Sequence, residues 1–196
     1  METYTLSNGV TIPKIGFGTW QIPEGEEAYN SVSFALKAGY THIDTAQIYG
    51  NEVSVGKAIA DSDVAREDIF LTTKLWNDKH DYELAKASID ESLERLGVDY
   101  LDLLLIHWPN PKALRENDAW KAGNAGAWKA MEEPTKMVRF VLLGCLTLCN
   151  ITSKLSLKRL KLCHMSTKFS WLQVVPKKTW LPIVKNVTFF LKPTVH

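Results

Sequence analysis

Four polar residues of the sequence have side chains suited to proton transfer: Asp44, Tyr49, Lys74 and His107. A tyrosine hydroxyl titrates near pH 10, so it becomes a stronger acid only beside a positive charge. Lys74 would supply that charge and lower the pKa of Tyr49, while Asp44 would keep Lys74 protonated and in place. His107 would donate a hydrogen bond to the oxygen atom that receives the proton. These residue types predict general-acid chemistry at an oxygen that develops negative charge.

Each of the four residues lies at, or just after, the end of a predicted strand. Asp44 closes the second strand and Tyr49 follows it, Lys74 is late in the third strand, and His107 ends the fourth. A short β-hairpin precedes these strands, because residues 3–12 alternate around Asn8-Gly9, which suits a type I′ turn. Hydrophobic periodicity predicts strands at 15–20, 41–45, 70–76 and 101–108, and helices at 24–38, 51–60, 81–96 and 119–133.

Strands that alternate with helices favour a parallel α/β sheet, which is either an open sheet or a barrel. No G-x-G-x-x-G turn follows the first strand, as an open dinucleotide-binding sheet would require. Reactive side chains at the carboxyl ends of several strands are typical of an α/β barrel. A complete barrel of this kind takes about 250 residues, whereas this chain has 196. We therefore predict the N-terminal half of a barrel, with strands 1–4 and the leading hairpin.

The segments that contain the four polar residues resemble the aldo-keto reductase family. The resemblance covers residues 3–133 and is greatest for bacterial reductases of 2,5-diketo-gluconate, glyoxal or methylglyoxal. It implies a (β/α)8 TIM barrel. The matching segments are GVTIPKIGFGTW at 9–20, AGYTHIDTAQIYGNE at 38–52, LTTKLW at 71–76 and LDLLLIHWP at 101–109.

The resemblance implies an NADPH-dependent oxidoreductase that transfers hydride to the carbonyl of small aldehydes, dicarbonyls or keto-sugars. Tyr49 is then the proton donor of a catalytic tetrad completed by Asp44, Lys74 and His107. Taken singly, an Asp–Lys pair is more often a structural ion pair, and tryptophans are more often packed in a core. The implied NADPH-binding residues are Gly18, Thr19, Trp20 and Asp44, and the implied substrate pocket consists of Trp20, Trp76, His107 and Trp108.

The composition changes sharply after residue 133. Residues 1–133 hold all 22 acidic residues of the chain and 12 of its 23 basic residues, whereas residues 134–196 hold the other 11 basic residues and all three cysteines. Two regions are therefore expected: a reductase half-barrel at 1–133, and an unrelated, poorly structured basic tail at 134–196. The rival interpretation of the tail is a basic arm that binds membranes or nucleic acid. The spacing of the residues in the tail does not favour such an arm.

A shift of the reading frame explains the tail. Restarting at the third base of the Pro134 codon permits YQDGKIRAIGVSNF across residues 134–148, which is how a reductase of this family would continue. Met137 followed by Val138 requires glycine in that frame, because the last base of ATG and the first two bases of GTN together form the glycine codon GGT. We hypothesise a frameshift near codon 134 that removed strands five to eight. It would impair NADPH binding and leave strand four with an open edge, so the alternative function is a non-catalytic half-barrel, as a pseudogene product or a binding module.

Charge and cysteine content argue against several other classes of protein. A formal net charge of +1 predicts no nucleic-acid or membrane partner. The sequence has neither a secretory signal nor a long apolar run, so a cytoplasmic protein is expected. Its expected partner is a small carbonyl substrate, and the family is usually monomeric. No metal is expected, because the spacing of Cys145, Cys149, Cys163 and His164 fits no standard zinc site.

Overall fold

The computed structural model describes residues 1–5, 10–133 and 142–145 of the chain, the last four through their backbone. Within these ranges it contains a hairpin, a parallel sheet and four helices. The strands are β1 (Thr3–Thr5), β2 (Thr11–Pro13), β3 (Phe17–Gly18), β4 (His42–Asp44), β5 (Phe70–Leu75), β6 (Leu103–Ile106) and β7 (Leu142–Cys145). The helices are α1 (Glu26–Lys37), α2 (Glu52–Ala60), α3 (Tyr82–Leu96) and α4 (Ala119–Glu132).

The predicted hairpin is confirmed by the pairing of its two strands. β1 and β2 run antiparallel, with Thr3 opposite Pro13 and Thr5 opposite Thr11. The turn residues themselves, including Asn8 and Gly9, lie outside the described residues.

The four predicted strand–helix units are present in the expected order. The sheet order is β3-β4-β5-β6-β7, and every neighbouring pair in it is parallel. Because parallel strands all point the same way, their carboxyl ends meet at one edge of the sheet, where loop residues from successive units can converge. This edge is called the carboxyl edge below.

The strand at Leu142–Cys145 was not predicted. Its backbone pairs with β6 along the whole length of that strand, from Leu103 opposite Leu142 to Ile106 opposite Cys145. The edge of the fourth barrel strand is therefore not open, although we expected it to be open unless the tail covered it. The residues of this segment are Leu, Leu, Gly and Cys, and mostly apolar runs are typical of strands in parallel sheets.

Helix α3 shows how the local sequence sets the bounds of an element. The Asp81 carboxylate accepts hydrogen bonds from the backbone N–H groups of Glu83, at 2.9 Å, and Leu84, at 3.4 Å, which caps the first turn. Gly97 ends the helix with φ of 63°, a left-handed conformation that glycine adopts without strain. The predicted buried face is confirmed and consists of Ala85, Ile89, Leu93 and Leu96.

The apolar core lies between the sheet and the four helices. Fully buried side chains of β4, β5 and β6 meet the inner faces of α1, α2, α3 and α4. Gly56 of α2 lies so close to α3 that a Cβ atom there would stand 2.1 Å from the Leu96 carbonyl oxygen. None of the helices in the described residues has the length and apolar character needed to span a membrane.

Candidate active site

The four residues predicted to carry the chemistry converge at the carboxyl edge of the sheet. Asp44 is the last residue of β4, and Tyr49 ends the short 3₁₀ turn Gln47–Tyr49 that follows it. Lys74 lies in β5, and His107 directly follows β6. Three successive strand ends therefore contribute one site, as the sequence predicted.

Lys74 is at the centre of the site and is almost completely buried, with 2% of its surface exposed. Its ammonium nitrogen lies 2.6 Å from Asp44 Oδ1 and 2.8 Å from the carbonyl oxygen of Thr45. A third contact, at 3.5 Å, joins the same nitrogen to the hydroxyl oxygen of Tyr49. Burial of an ammonium group is costly unless it is paired and hydrogen-bonded, and these contacts supply both. The pair therefore differs from an ordinary surface ion pair because it also touches a tyrosine.

Tyr49 has its hydroxyl close to Lys74 but does not have the lowered pKa that we expected. Burial raises the pKa of Tyr49, and the nearby Lys74 charge opposes this rise without overcoming it. The expectation failed because the sequence reveals the neighbouring charge but not the extent of desolvation. A raised pKa keeps the hydroxyl protonated at neutral pH, which is the form that a proton donor needs.

His107 faces Tyr49 across the same space. The two ring centroids are 6.0 Å apart, and the Trp76 ring lies edge-on to His107 at 5.1 Å. Burial, together with the Lys74 charge, lowers the pKa of His107 to about 3. The imidazole is therefore neutral at pH 7 and retains one N–H to donate.

The neutral state of His107 predicts a pH dependence of stability. In the unfolded chain the residue titrates near pH 6.5, whereas in the folded protein its pKa is about 3. Between these two pH values only the unfolded state binds the proton. The contribution of His107 to the free energy of unfolding is therefore fully present above pH 6.5 and is lost as the pH falls toward 3. We expect His107→Gln to make the decline in unfolding free energy shallower by about 1.4 kcal/mol per pH unit below about pH 6. Urea unfolding at pH 6.5, 5.5 and 4.5 measures this, and equal slopes for both proteins would contradict it.

The predicted cofactor residues lie beside the tetrad. Gly18 pairs with Asp44 across the sheet, and the backbone N–H of Thr19 donates to the Asp44 carbonyl at 2.9 Å. Thr19 is fully buried and its hydroxyl bonds to Asp44 and Asn51, whereas Trp20 is 53% exposed. The buried Thr19 side chain therefore holds the loop through its hydrogen bonds, whereas the Trp20 side chain is exposed.

Asn51 organises this edge and was not predicted as a site residue. It is fully buried, and its amide nitrogen donates to the carbonyl oxygens of Thr19, at 2.9 Å, and Ile22, at 2.8 Å. Its amide oxygen accepts from the hydroxyls of Thr19, at 3.3 Å, and Thr45, at 2.9 Å. The loop after β3 is thereby tied to the residue whose carbonyl holds Lys74. One indication of this role was available in the sequence: Asn51 lies two residues after Tyr49, within the segment 38–52 that resembles the reductase family.

Comparison with known proteins identifies the family. The Aldo/keto reductase family matches residues 14–164. The chain belongs to the aldo/keto reductase family. This match continues past residue 133, where we expected the resemblance to end. The boundary between a domain at 1–133 and a tail at 134–196 stays a prediction.

Individual reductases support the same conclusion. Glyoxal reductase of Bacillus subtilis is 49% identical over 121 residues, which are 62% of this chain and 43% of that protein. The crystal structure of an aldo/keto reductase from Brucella melitensis superposes with a TM-score of 0.70 at 44% identity, covering 81% of this chain and 59% of that one. A mutant of Gox0644, crystallised in complex with NADPH, gives a TM-score of 0.67 at 34% identity, covering 81% and 54%.

The chain spans about two fifths of the length of the curated reductases that it matches. The predicted fold is confirmed by these relatives together with the parallel sheet: the described residues form the N-terminal half of an aldo/keto reductase barrel.

The tryptophans assigned to the substrate pocket of the reductase differ in burial. Trp76 is half-buried against His107, whereas Trp108 is 43% exposed and Trp20 is 53% exposed. Neither Trp20 nor Trp108 is a core residue, which removes the packing interpretation for these two. Exposed indoles at the carboxyl edge can instead form the walls of an apolar pocket.

The cysteines and histidine considered as metal ligands remain untested. Cys149, Cys163 and His164 lie outside the described residues. Among the residues that the structure does describe, no three His, Cys, Asp or Glu side chains are grouped so that they could hold a metal ion.

Proposed function

We propose that this chain carries the catalytic half of an NADPH-dependent carbonyl reductase for small aldehydes, dicarbonyls or keto-sugars. The observation that carries the proposal is the convergence of Tyr49, Lys74 and His107, with a tyrosine hydroxyl 3.5 Å from a buried ammonium group and beside a neutral imidazole. A hydroxyl, a cation and a hydrogen-bond donor around one space are what the reduction of a carbonyl requires.

In the proposed reaction Tyr49 gives its proton to the carbonyl oxygen as negative charge develops there. Bound NADPH supplies the hydride. Lys74 stabilises the phenolate that Tyr49 becomes, and Asp44 keeps Lys74 charged throughout. His107 donates a hydrogen bond to the same oxygen and so fixes the orientation of the carbonyl. For Tyr49 and His107 burial favours the neutral, hydrogen-donating form that these roles require.

For the cofactor, the described residues offer a partial but compatible surface. The exposed indole of Trp20 can contact a planar ring, and the carboxylate of Asp44 is 18% exposed. We propose that the residues of this half of the barrel that bind NADPH are Gly18, Thr19, Trp20 and Asp44. Thr19 contributes indirectly, because its buried side chain holds the loop in place. Weakened NADPH binding relative to full-length relatives is part of the same proposal.

Fluorescence titration with NADPH tests the proposal on the full chain. We expect saturable binding that is weaker than that of Bacillus subtilis glyoxal reductase measured alongside, together with NADPH-dependent reduction of methylglyoxal. If no saturable NADPH binding occurs, the proposal fails and a non-catalytic half-barrel is the correct assignment.

A specific observation favours that second candidate function. The chain covers only 42% of a matched reductase, 54% identical over 118 residues, and residues 134–148 can be read as YQDGKIRAIGVSNF in another frame. We propose that a frameshift near codon 134 produced the tail. The nucleotide sequence decides this: a 3′ region without reductase sequence in any other frame would refute it. A monomeric state and a cytoplasmic location stay predictions.

A further inference from the structure

Gln47 begins the 3₁₀ turn that ends at Tyr49, and its side chain is bonded to elements outside the turn. Its amide nitrogen donates to the carbonyl oxygen of Ser88, at 2.8 Å, and to the hydroxyl of Ser92, at 2.9 Å. Its amide oxygen accepts the backbone N–H of Trp76 at 3.1 Å. Three of the four hydrogen bonds that a glutamine amide can readily make are thus formed.

The partners of Gln47 belong to the rigid part of the fold. Ser88 and Ser92 are buried on the inner face of α3, and Trp76 directly follows β5, the strand that contains Lys74. A turn bonded to both elements cannot move relative to Lys74 without breaking these contacts. Gln47 therefore links the turn of the proton donor to the strand of the cation.

The contact network extends behind the tetrad. Ser92 also bonds to the buried carboxylate of Glu52 at 3.3 Å, and the other oxygen of Glu52 accepts the hydroxyl of Thr73 at 2.6 Å. Thr73 is the neighbour of Lys74 in β5, and Arg95 neutralises Glu52 from 2.8 Å. Ser92, which accepts from Gln47, is thus itself held in place by a charged hydrogen-bond network.

The turn has little restraint of its own. Its internal hydrogen bonds run from Tyr49 N–H to Ala46, at 3.0 Å, and from Gly50 N–H to Gln47, at 3.1 Å. The contact that it must preserve, 3.5 Å between the Tyr49 hydroxyl and the Lys74 nitrogen, is at the outer limit of a hydrogen bond. A displacement of under an ångström therefore decides whether that contact exists.

We infer that Gln47 is a positioning residue that fixes the Tyr49 hydroxyl next to the Lys74 ammonium group and, through Trp76, fixes the pocket wall beside His107. Its effect on turnover rests on the proposed function. Its effect on the environment of Tyr49 does not.

Gln47→Met tests the inference, because methionine keeps the length of the side chain and removes all three hydrogen bonds. We expect kcat for methylglyoxal to fall about tenfold with little change in KM, since misplaced catalytic groups cost rate rather than binding. In ¹³Cζ-tyrosine NMR titrations of the full chain, the pKa of Tyr49 should rise further above that of a tyrosine in water, because the phenol loses the Lys74 charge that opposes the effect of burial. Tyr49→Phe identifies its resonance. Asn30→Met, on the exposed side of α1, should change neither quantity.

Two further comparisons complete the test. Ser92→Ala removes one acceptor of the Gln47 amide and should shift the Tyr49 titration in the same direction, by less; it decides the matter if Gln47→Met does not fold. An unchanged Tyr49 titration in the folded variant would overturn the inference. If neither the unmodified protein nor any variant oxidises NADPH but the Tyr49 titration still shifts, the proposed function fails while the positioning role of Gln47 stands.

Discussion

Replacing Tyr49 with phenylalanine is expected to lower kcat for methylglyoxal reduction by about 1000-fold, within the range that general-acid catalysis contributes. The substitution removes the hydroxyl whose oxygen lies 3.5 Å from the Lys74 nitrogen and leaves the aromatic ring beside His107. Binding of NADPH should persist, because the lost group acts on the carbonyl oxygen. Steady-state kinetics and fluorescence titration of the same preparation separate the two effects.

Tyr100→Phe is the matched control for this experiment. Tyr100 precedes β6 at the opposite end of the sheet, where its ring lies over the Arg66 guanidinium, and phenylalanine keeps that ring. Its turnover should equal that of the unmodified chain. Full activity in Tyr49→Phe would show that another group donates the proton, and the assignment of the tetrad would then be wrong.

Lys74→Met should lower the free energy of unfolding by about 3–5 kcal/mol, the usual cost of removing one partner from a buried ion pair. Lys74 has almost no exposed surface, and its loss leaves the Asp44 carboxylate and the Thr45 carbonyl without their donor. Activity should be lost as well, because no cation remains to stabilise a Tyr49 phenolate. Urea denaturation monitored by circular dichroism measures the stability change.

Lys37→Met provides the comparison, since Lys37 is exposed at the end of α1. Its unfolding free energy should change by less than about 0.5 kcal/mol, as is usual for surface substitutions. A similarly small loss in Lys74→Met would mean that water replaces the ammonium group. The site would then be too open to control the protonation of Tyr49.

The order of elements could be predicted because each helix has an apolar stripe and each inner strand an apolar run. The bounds were less accurate where pairing, rather than composition, defines a strand. The segment predicted as a strand at 15–20 has its ladder with β4 at Phe17 and Gly18, and the side chains of Ile15 and Trp20 at its two ends are exposed. Strand β7 was not predicted because the composition of the residues after 133 is not typical of an α/β sequence.

The tetrad could be predicted because its members stand in long segments typical of one family. The amide side chains of Gln47 and Asn51, which support the tetrad, could not be predicted. Apart from Thr45, six residues from Asn51, the hydrogen-bond partners of these two side chains are between 29 and 45 residues away in sequence. Glutamine and asparagine have no intrinsic chemistry that marks them. The direction of the Tyr49 pKa shift was missed for a related reason, because desolvation depends on neighbours that only the folded chain supplies.

The contacts of Lys74 also determine where the Tyr49 proton points. An ammonium group has three N–H donors and no acceptor, and its three contacts direct them to Asp44, Thr45 and Tyr49. The phenol oxygen must therefore receive a hydrogen bond from Lys74, so its own O–H bond is turned away from the lysine. The hydroxyl is oriented in advance, with its hydrogen available to whatever molecule enters beside His107.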